Sequence, residues 1–285
     1  MIVNPSASTK RDSSRPGGRS NMYANTKTWN PFKGCRFDCV YCTPSFQRQA
    51  KRLKKRCDEC YKFSPHAHPE RLTSSAIPSG VDTVFVAGNG DLAFAGKTAI
   101  PALCAVIREK NKTRPNITYY FQSKQPVCFA PYLSQLPANV VLVTTLETNR
   151  DHGYRSISKA PPPSVRHQQL KDLDYARKVI TIEPVMAFDL EPFVSMIKQI
   201  QPEYVWLGFN TRPASVRLPE PSAAELEAFV DCLEQSGIDV RGKDLRGLVL
   251  DDEARSHVAP PSAPVSKRTP EGQRSKGRTA ICVGA

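Results

Sequence analysis

Along the chain, short runs that are apolar on both faces alternate with longer stretches whose apolar residues recur at helical spacing. Runs of strand length lie at Thr83–Ala87, Ile117–Gln122, Val140–Thr145, Val179–Glu183, Tyr204–Gly208 and Ile238–Val240, with a shorter one at Thr26–Trp29. They are rich in Val, Ile, Tyr and Phe, which suits strands of a sheet covered on both faces. Ile100, Leu103, Val106 and Ile107 share one helical face, as do Phe193, Met196, Ile197 and Ile200. A third helix is signalled by Ser222 as N-cap with Glu225 three residues on. It continues with the stripe Leu226, Phe229, Val230 and Leu233 and stops at Gly237.

This alternation predicts βα units and therefore a parallel sheet of six or seven strands. That is fewer than a closed eightfold barrel needs. The expected fold is α/β, a partial (β/α)6-type TIM barrel whose function collects at the C-terminal ends of its strands. The flanks break the pattern. Residues 1–25 are rich in Ser, Asn, Arg and Gly, and Pro260, Pro261, Pro264 and Pro270 punctuate a basic C-terminal stretch. The expected organisation is a flexible arm over 1–25, the barrel domain over 26–250 and a flexible basic tail over 251–285.

Composition narrows the setting. The 285 residues are 40% hydrophobic and 24% charged, as in ordinary globular proteins. No apolar run approaches the ~20 residues of a membrane helix, and Met1–Gly18 lacks the apolar core of a secretory signal. The expectation is a cytoplasmic protein with no membrane partner. Its nine cysteines then read as metal ligands, catalytic groups or buried small hydrophobes rather than disulfides. The net charge of +13 serves solubility or marks a polyanionic partner. Part of the excess is crowded into Arg48, Lys51, Arg52, Lys54, Lys55 and Arg56, and part into Lys267, Arg268, Arg274, Lys276 and Arg278.

The segment from Thr28 to Thr43 carries the chemistry. Cys35, Cys39 and Cys42 form C-x3-C-x2-C, preceded by Gly34. Three thiolates from one short loop can wrap a cubane cluster and leave one iron open. A structural zinc loop, or a ferredoxin-type cluster with a fourth cysteine, is the competing reading.

With Tyr41 before the last cysteine, this segment resembles the radical S-adenosylmethionine (SAM) superfamily. Gly88-Asn89-Gly90-Asp91, after the strand Thr83–Ala87, is similar to the Gly-Gly-Glu-like turn of that superfamily, with Asp for Glu and an extra spacer. His68-Pro-Glu-Arg-Leu72, Thr145-Leu-Glu-Thr-Asn-Arg-Asp151 and Thr181-Ile-Glu-Pro184 look like an uncharacterised radical SAM family of phages and prokaryotes. That family is distantly similar to spore photoproduct lyase. The resemblance covers roughly residues 26–246. It implies the radical SAM core as the fold, with a [4Fe-4S] cluster on Cys35, Cys39 and Cys42 and S-adenosyl-L-methionine chelated at the open iron. Tyr41 would pack near the adenine, and Gly88, Asn89, Gly90 and Asp91 would hold the SAM amino group. It further implies an external electron donor, reductive cleavage of SAM and a 5′-deoxyadenosyl radical that takes a hydrogen atom from the substrate.

Polar residues at other strand ends complete the candidate pocket. Lys124 is assigned to cofactor binding, and Glu147, Arg150 and Glu183 to the reaction, because strand ends line the mouth of such a barrel. Cys57-Asp-Glu-Cys60 offers a C-x2-C pair that suits zinc, but the C-x5-H-x-H continuation to His66 and His68 is not a common finger spacing. A second cluster is an alternative there, and reduced surface thiols are the default. Cys104 and Cys232 fall on or beside helical core faces and read as packing residues.

Three functions remain open. The first is a radical SAM enzyme acting on nucleic acid or a nucleotide-derived substrate, suggested by the basic segments. The second is radical SAM modification of a protein or small metabolite. The third is a non-enzymatic iron–sulfur redox sensor.

Overall fold

The computed structural model describes residues 25–242. The arms expected over 1–25 and 251–285 therefore lie outside the described residues, Asn25 apart. Seven parallel strands form one sheet in chain order: β1 (Thr26–Trp29), β2 (Thr83–Val86), β3 (Thr118–Gln122), β4 (Val140–Thr145), β5 (Lys178–Ile182), β6 (Tyr204–Leu207) and β7 (Val240–Gly242). The sheet is the curled half-barrel that the strand–helix alternation predicts. The last strand begins two residues later than expected, at Val240 rather than Ile238.

The connections form the outer layer. Helix α1 (Ala99–Asn111) joins β2 to β3, α2 (Pro163–Lys171) joins β4 to β5, α3 (Leu190–Ile200) joins β5 to β6, and α4 (Ala223–Gln235) joins β6 to β7. Between β3 and β4 the chain takes a 3-10 path over Pro126–Gln135, with Pro131 inside it. Proline lacks the amide and clashes with the preceding turn, so an α-helix does not form there. The sequence pattern misses α2. Its buried residues are Pro163, Arg166, His167 and Leu170, which make no apolar stripe. Its start instead rests on Pro163 in the first turn, where a missing amide costs nothing.

Strand alternation divides the core in two. Val84, Val86, Tyr119, Phe121, Leu142, Ile180, Ile182, Val205 and Leu207 face the helices, against Ile100, Leu103, Ile107, Phe193, Ile197, Leu226 and Phe229. Phe85, Tyr120, Val141, Val143, Val179, Tyr204 and Trp206 line the concave face. Each fully buried Val, Leu, Ile or Phe contributes about 1.5–3 kcal/mol, so the two-sided burial of β4 to β6 anchors the sheet. Cys104 packs in the helix-facing core as expected. Cys232 is also buried but is disulfide-bonded, which departs from the expectation of a purely packing role.

After β1 the chain is helical from Thr43 to Leu53, but its pitch changes from π to α to 3-10 within that span. Arg48 and Arg52, and Lys51 and Lys55, are like charges four residues apart, which destabilises a regular helix. No helix among the described residues is long and apolar enough to cross a membrane.

The N-terminus of α4 carries the capping box the sequence predicts. The Ser222 side chain accepts from the Glu225 amide at 3.2 Å, and the Glu225 carboxylate accepts from the Ser222 amide at 2.8 Å. Replacing Ser222 with Ala is expected to lower folding stability by about 1 kcal/mol, read from urea unfolding midpoints.

Candidate active site at the C-terminal edge of the sheet

Because all seven strands run parallel, the residues that follow them gather along one edge. The cysteine loop follows β1, the turn Gly88–Asp91 follows β2, Lys124 follows β3, Glu147 follows β4 and Glu183 follows β5.

The cysteine loop is fixed by backbone contacts that only glycine permits. Gly34 sits at φ +89°, and a Cβ there would lie 2.0 Å from the Ser64 carbonyl oxygen. Its amide donates to the Asn89 carbonyl at 3.0 Å, and its own carbonyl accepts from the Asp91 amide at 3.2 Å. Gly34 and Gly90 form a parallel bridge, and a Cβ on Gly90 would meet the Gly34 oxygen at 2.9 Å. The two segments singled out as cofactor-binding in the sequence are thus one unit. On the other side, the Lys159 amide donates to the Phe37 carbonyl at 2.7 Å and the Val40 amide to Ile157 at 2.9 Å. The Ser158 hydroxyl lies 3.1 Å from the Cys39 sulfur.

Cys35, Cys39 and Cys42 pack in one cluster with Phe37, Phe94 and Ala160. Burial drives the Cys35 thiol far up, and the nearby Asp91, Cys39 and Cys42 add to this. Burial and Cys39 push Cys42 up to about 12, with Lys124 working in the opposite direction. Thiols held this way ionise once a cation supplies the missing charge, and three soft sulfur donors in a half-buried loop suit iron–sulfur ligation. The residues therefore fit the group that the spacing implies.

Beneath the loop lies a buried polar hub. The Glu147 side chain is 0% exposed. Its Oε1 accepts from the Tyr154 hydroxyl at 3.0 Å and from the Tyr41 hydroxyl and the Lys124 ammonium, and Oε2 pairs with Arg166 at 2.7 Å. Arg166 is likewise 0% exposed, donates to the Thr145 carbonyl, and lies 4.9 Å from the centre of the Tyr154 ring. Burial works against the Glu147 charge, but Arg166 and Lys124 outweigh it and hold the carboxyl well below the usual range. Tyr41 joins this hub through its hydroxyl and also lies under the Lys124 ammonium, 4.9 Å from its ring centre.

Asp91 is buried, and its carboxylate is fully engaged. It accepts from the Ser123 hydroxyl at 2.6 Å, the Lys124 amide at 2.9 Å and the Ala93 amide at 3.0 Å. Asn89 is held through its backbone, its amide donating to the Asn30 side chain at 3.0 Å. Gly88 lines a cavity of about 570 Å³ on the concave face, together with Thr28, Phe46, Phe85 and Gln122. The Gln122 amide donates to Thr145 Oγ1 at 3.1 Å, and the Glu183 carboxylate accepts from the Trp206 indole at 2.9 Å. Arg150 makes none of the hub's bonds. Its guanidinium is half-exposed and clasps Asp189 at 2.7 Å and the Phe188 carbonyl at 3.0 Å.

Tyr41, Lys124 and Glu147 are thus brought together, while Arg150 and Glu183 occupy separate positions on the same edge. Sequence reasoning missed Arg166, Tyr154 and Ser158. Arg166 gives no periodic signal within α2, and the other two lie in an irregular loop.

No protein-family model matches the sequence, and no curated protein matches it. Solved structures do match the fold, a partial TIM barrel like that of the radical SAM core. One is a radical SAM methyltransferase from Sphaerobacter thermophilus, with TM-score 0.52 and 14% identity over 76% of this chain and 65% of that one. A spore photoproduct lyase variant matches with TM-score 0.52 and 13% identity over 82% of this chain and 79% of its own. SuiB of Streptococcus suis, bound to its precursor peptide SuiA, matches with TM-score 0.50 and 10% identity over 76% of this chain. The chain spans 48% of SuiB, about half its length. At these identities the likeness is one of fold.

Substituting Glu147 with Gln leaves Lys124 and Arg166 buried without their counter-charge. The expected cost is about 3–5 kcal/mol by chemical denaturation. Because the folded-state carboxyl is depressed, its contribution is full above the unfolded value of about 4.3 and is lost as pH falls. The wild-type advantage over Glu147→Gln should therefore be constant near neutrality and shrink below about pH 4.

Proposed function

We propose that this protein is a radical SAM enzyme, with one [4Fe-4S] cluster on Cys35, Cys39 and Cys42 and S-adenosyl-L-methionine on the concave face beside it. The observation that carries the reading is the union of the cysteine loop with the Gly88–Asp91 turn through Gly34 and Gly90, beside a cavity that Gly88 and Gln122 line in a parallel half-barrel. When bound, the cofactor pair supplies one-electron reductive cleavage of a sulfonium carbon–sulfur bond, fed by an external electron donor, and hence a hydrogen-abstracting carbon radical.

The chain's own residues have separable tasks. The three thiolates anchor the iron. Gly88 and Gly90 let backbone approach the cofactor closely, as Gly88 does where it lines the cavity. Asp91 shapes that turn rather than offering a free carboxylate, since its oxygens already accept from Ser123, Lys124 and Ala93. Lys124 projects beside Cys42 and Tyr41, where a cation favours thiolate. Glu147 and Arg166 position Lys124 and Tyr41. Phe85, which lines the cavity, and Trp206, bonded to Glu183, help exclude water from the reacting centre. Glu183 and Arg150, which follow neighbouring strands outside the hub, are assigned to the substrate in this reading.

The substrate we propose is nucleic acid or a nucleotide-derived compound. Arg48, Lys51, Arg52, Lys54, Lys55 and Arg56 are all exposed on the segment that follows the cluster loop. Phe46, 47% exposed at the head of that segment, lines the cavity. Cations that can track phosphates, next to an aromatic ring at a pocket mouth, are the elements of single-strand recognition.

Anaerobically reconstituted protein with dithionite and SAM is expected to release 5′-deoxyadenosine and methionine, and the Cys39→Ala variant to release none. A wild-type protein that carries the cluster but releases nothing would favour the sensor reading. Retention on heparin should exceed that on a neutral resin and fall steeply with salt; equal elution from both would remove the nucleic-acid substrate.

A further inference from the structure

For Cys57, Cys60, His66 and His68 the sequence left a zinc site open, with reduced surface thiols as the default. The four converge, with one ligand atom from each lying within 4.8 Å of all the others. Cys57 Sγ lies 3.4 Å from His66 Nε2, Cys60 Sγ lies 3.3 Å from His66 Nε2 and 3.2 Å from His68 Nε2, and the two Nε2 atoms are 2.9 Å apart. A tetrahedron with metal–ligand bonds of about 2.0–2.3 Å has edges of about 3.3–3.8 Å, so these four separations match or fall slightly short of the edges of such a cage.

Hydrogen-bond accounting separates this from a chance cluster. His66 Nδ1 is 2.7 Å from the Ser64 carbonyl, which can only accept, so Nδ1 carries the proton. His68 Nδ1 is 3.0 Å from the Glu70 carboxylate, with the same consequence. In the neutral rings both Nε2 atoms therefore present lone pairs, and they point at each other across 2.9 Å. A thiol proton can reach each Nε2, but the two Nε2 lone pairs 2.9 Å apart still repel, and one shared cation relieves that contact. A carbonyl and a carboxylate behind the two rings are also the outer partners that orient metal-bound histidines. The Cys60 amide donates to Cys57 Sγ at 3.2 Å, which ties the two cysteines of the pair together.

From this geometry we infer a second metal site, a structural zinc ion held by Cys57, Cys60, His66 and His68. Two thiolates and two imidazoles suit zinc, and four protein ligands leave no open position for catalysis. The site also has a place to act. His66–Ala67 pairs antiparallel with Phe32–Lys33, directly before the cluster loop. The Phe63 carbonyl accepts from the Cys35 amide at 3.2 Å, and the His68 amide donates to Pro31 at 2.7 Å. Zinc would thus brace the outer side of the loop that carries Cys35.

The test separates this metal from the cluster. The full-length Cys35→Ser/Cys39→Ser/Cys42→Ser variant, purified without added metal, should retain one zinc per chain, and Cys57→Ser/Cys60→Ser should lose it. Zinc absent from the triple variant, or still stoichiometric after loss of Cys57 and Cys60, would overturn the inference. If the second variant does not fold, X-ray absorption at the zinc edge of the triple variant decides. Two sulfurs at about 2.3 Å and two nitrogens at about 2.0–2.1 Å are expected, and an oxygen-rich or all-sulfur shell would overturn it.

Discussion

The arrangement at the mouth of the half-barrel depends on a close approach of three backbone segments. Gly34 is pressed between the Gly88–Asp91 turn on one side and the Ser64 carbonyl on the other, and no side chain larger than hydrogen fits. That contact registers the cysteine loop against the second strand and sets where a metal cluster and its ligand would meet. It also places the cysteines against residues that follow the third and fourth strands, because the sheet is parallel and in chain order.

A second layer sits below. Glu147 carries no solvent-accessible side-chain surface and joins Tyr41, Lys124, Tyr154 and Arg166. A buried charge of this kind persists only when paired, and here one carboxylate is shared by two cations. The net positive charge left over faces the buried sulfurs. In a low-dielectric site such a bias works toward the charged form of a nearby thiol, as Lys124 does for Cys42.

Much of this was legible in the sequence. The strands showed because both their faces are apolar, and α4 showed because its cap and stripe are local features. The cysteine loop was readable from spacing alone. Arg166 was not, since a buried arginine is specified by its partner Glu147, nineteen residues away in the chain. Asp91 was assigned with its turn to the SAM amino group, and nothing local announces that Ser123 and Lys124 engage its oxygens. The pair of cysteines and the pair of histidines beyond the cluster loop were underrated for the opposite reason: their spacing is unusual, and a short hairpin brings them together.

The central claim is an iron–sulfur cluster held by three thiolates with one iron left to a sulfonium ligand. Electron paramagnetic resonance on the anaerobic, dithionite-reduced protein, paired with iron and sulfide analysis, tests it most directly. About four irons and four sulfides per chain are expected, with a reduced-cluster signal that changes on addition of SAM. A spectrum indifferent to SAM, or zinc in place of iron on Cys35, Cys39 and Cys42, would contradict the account.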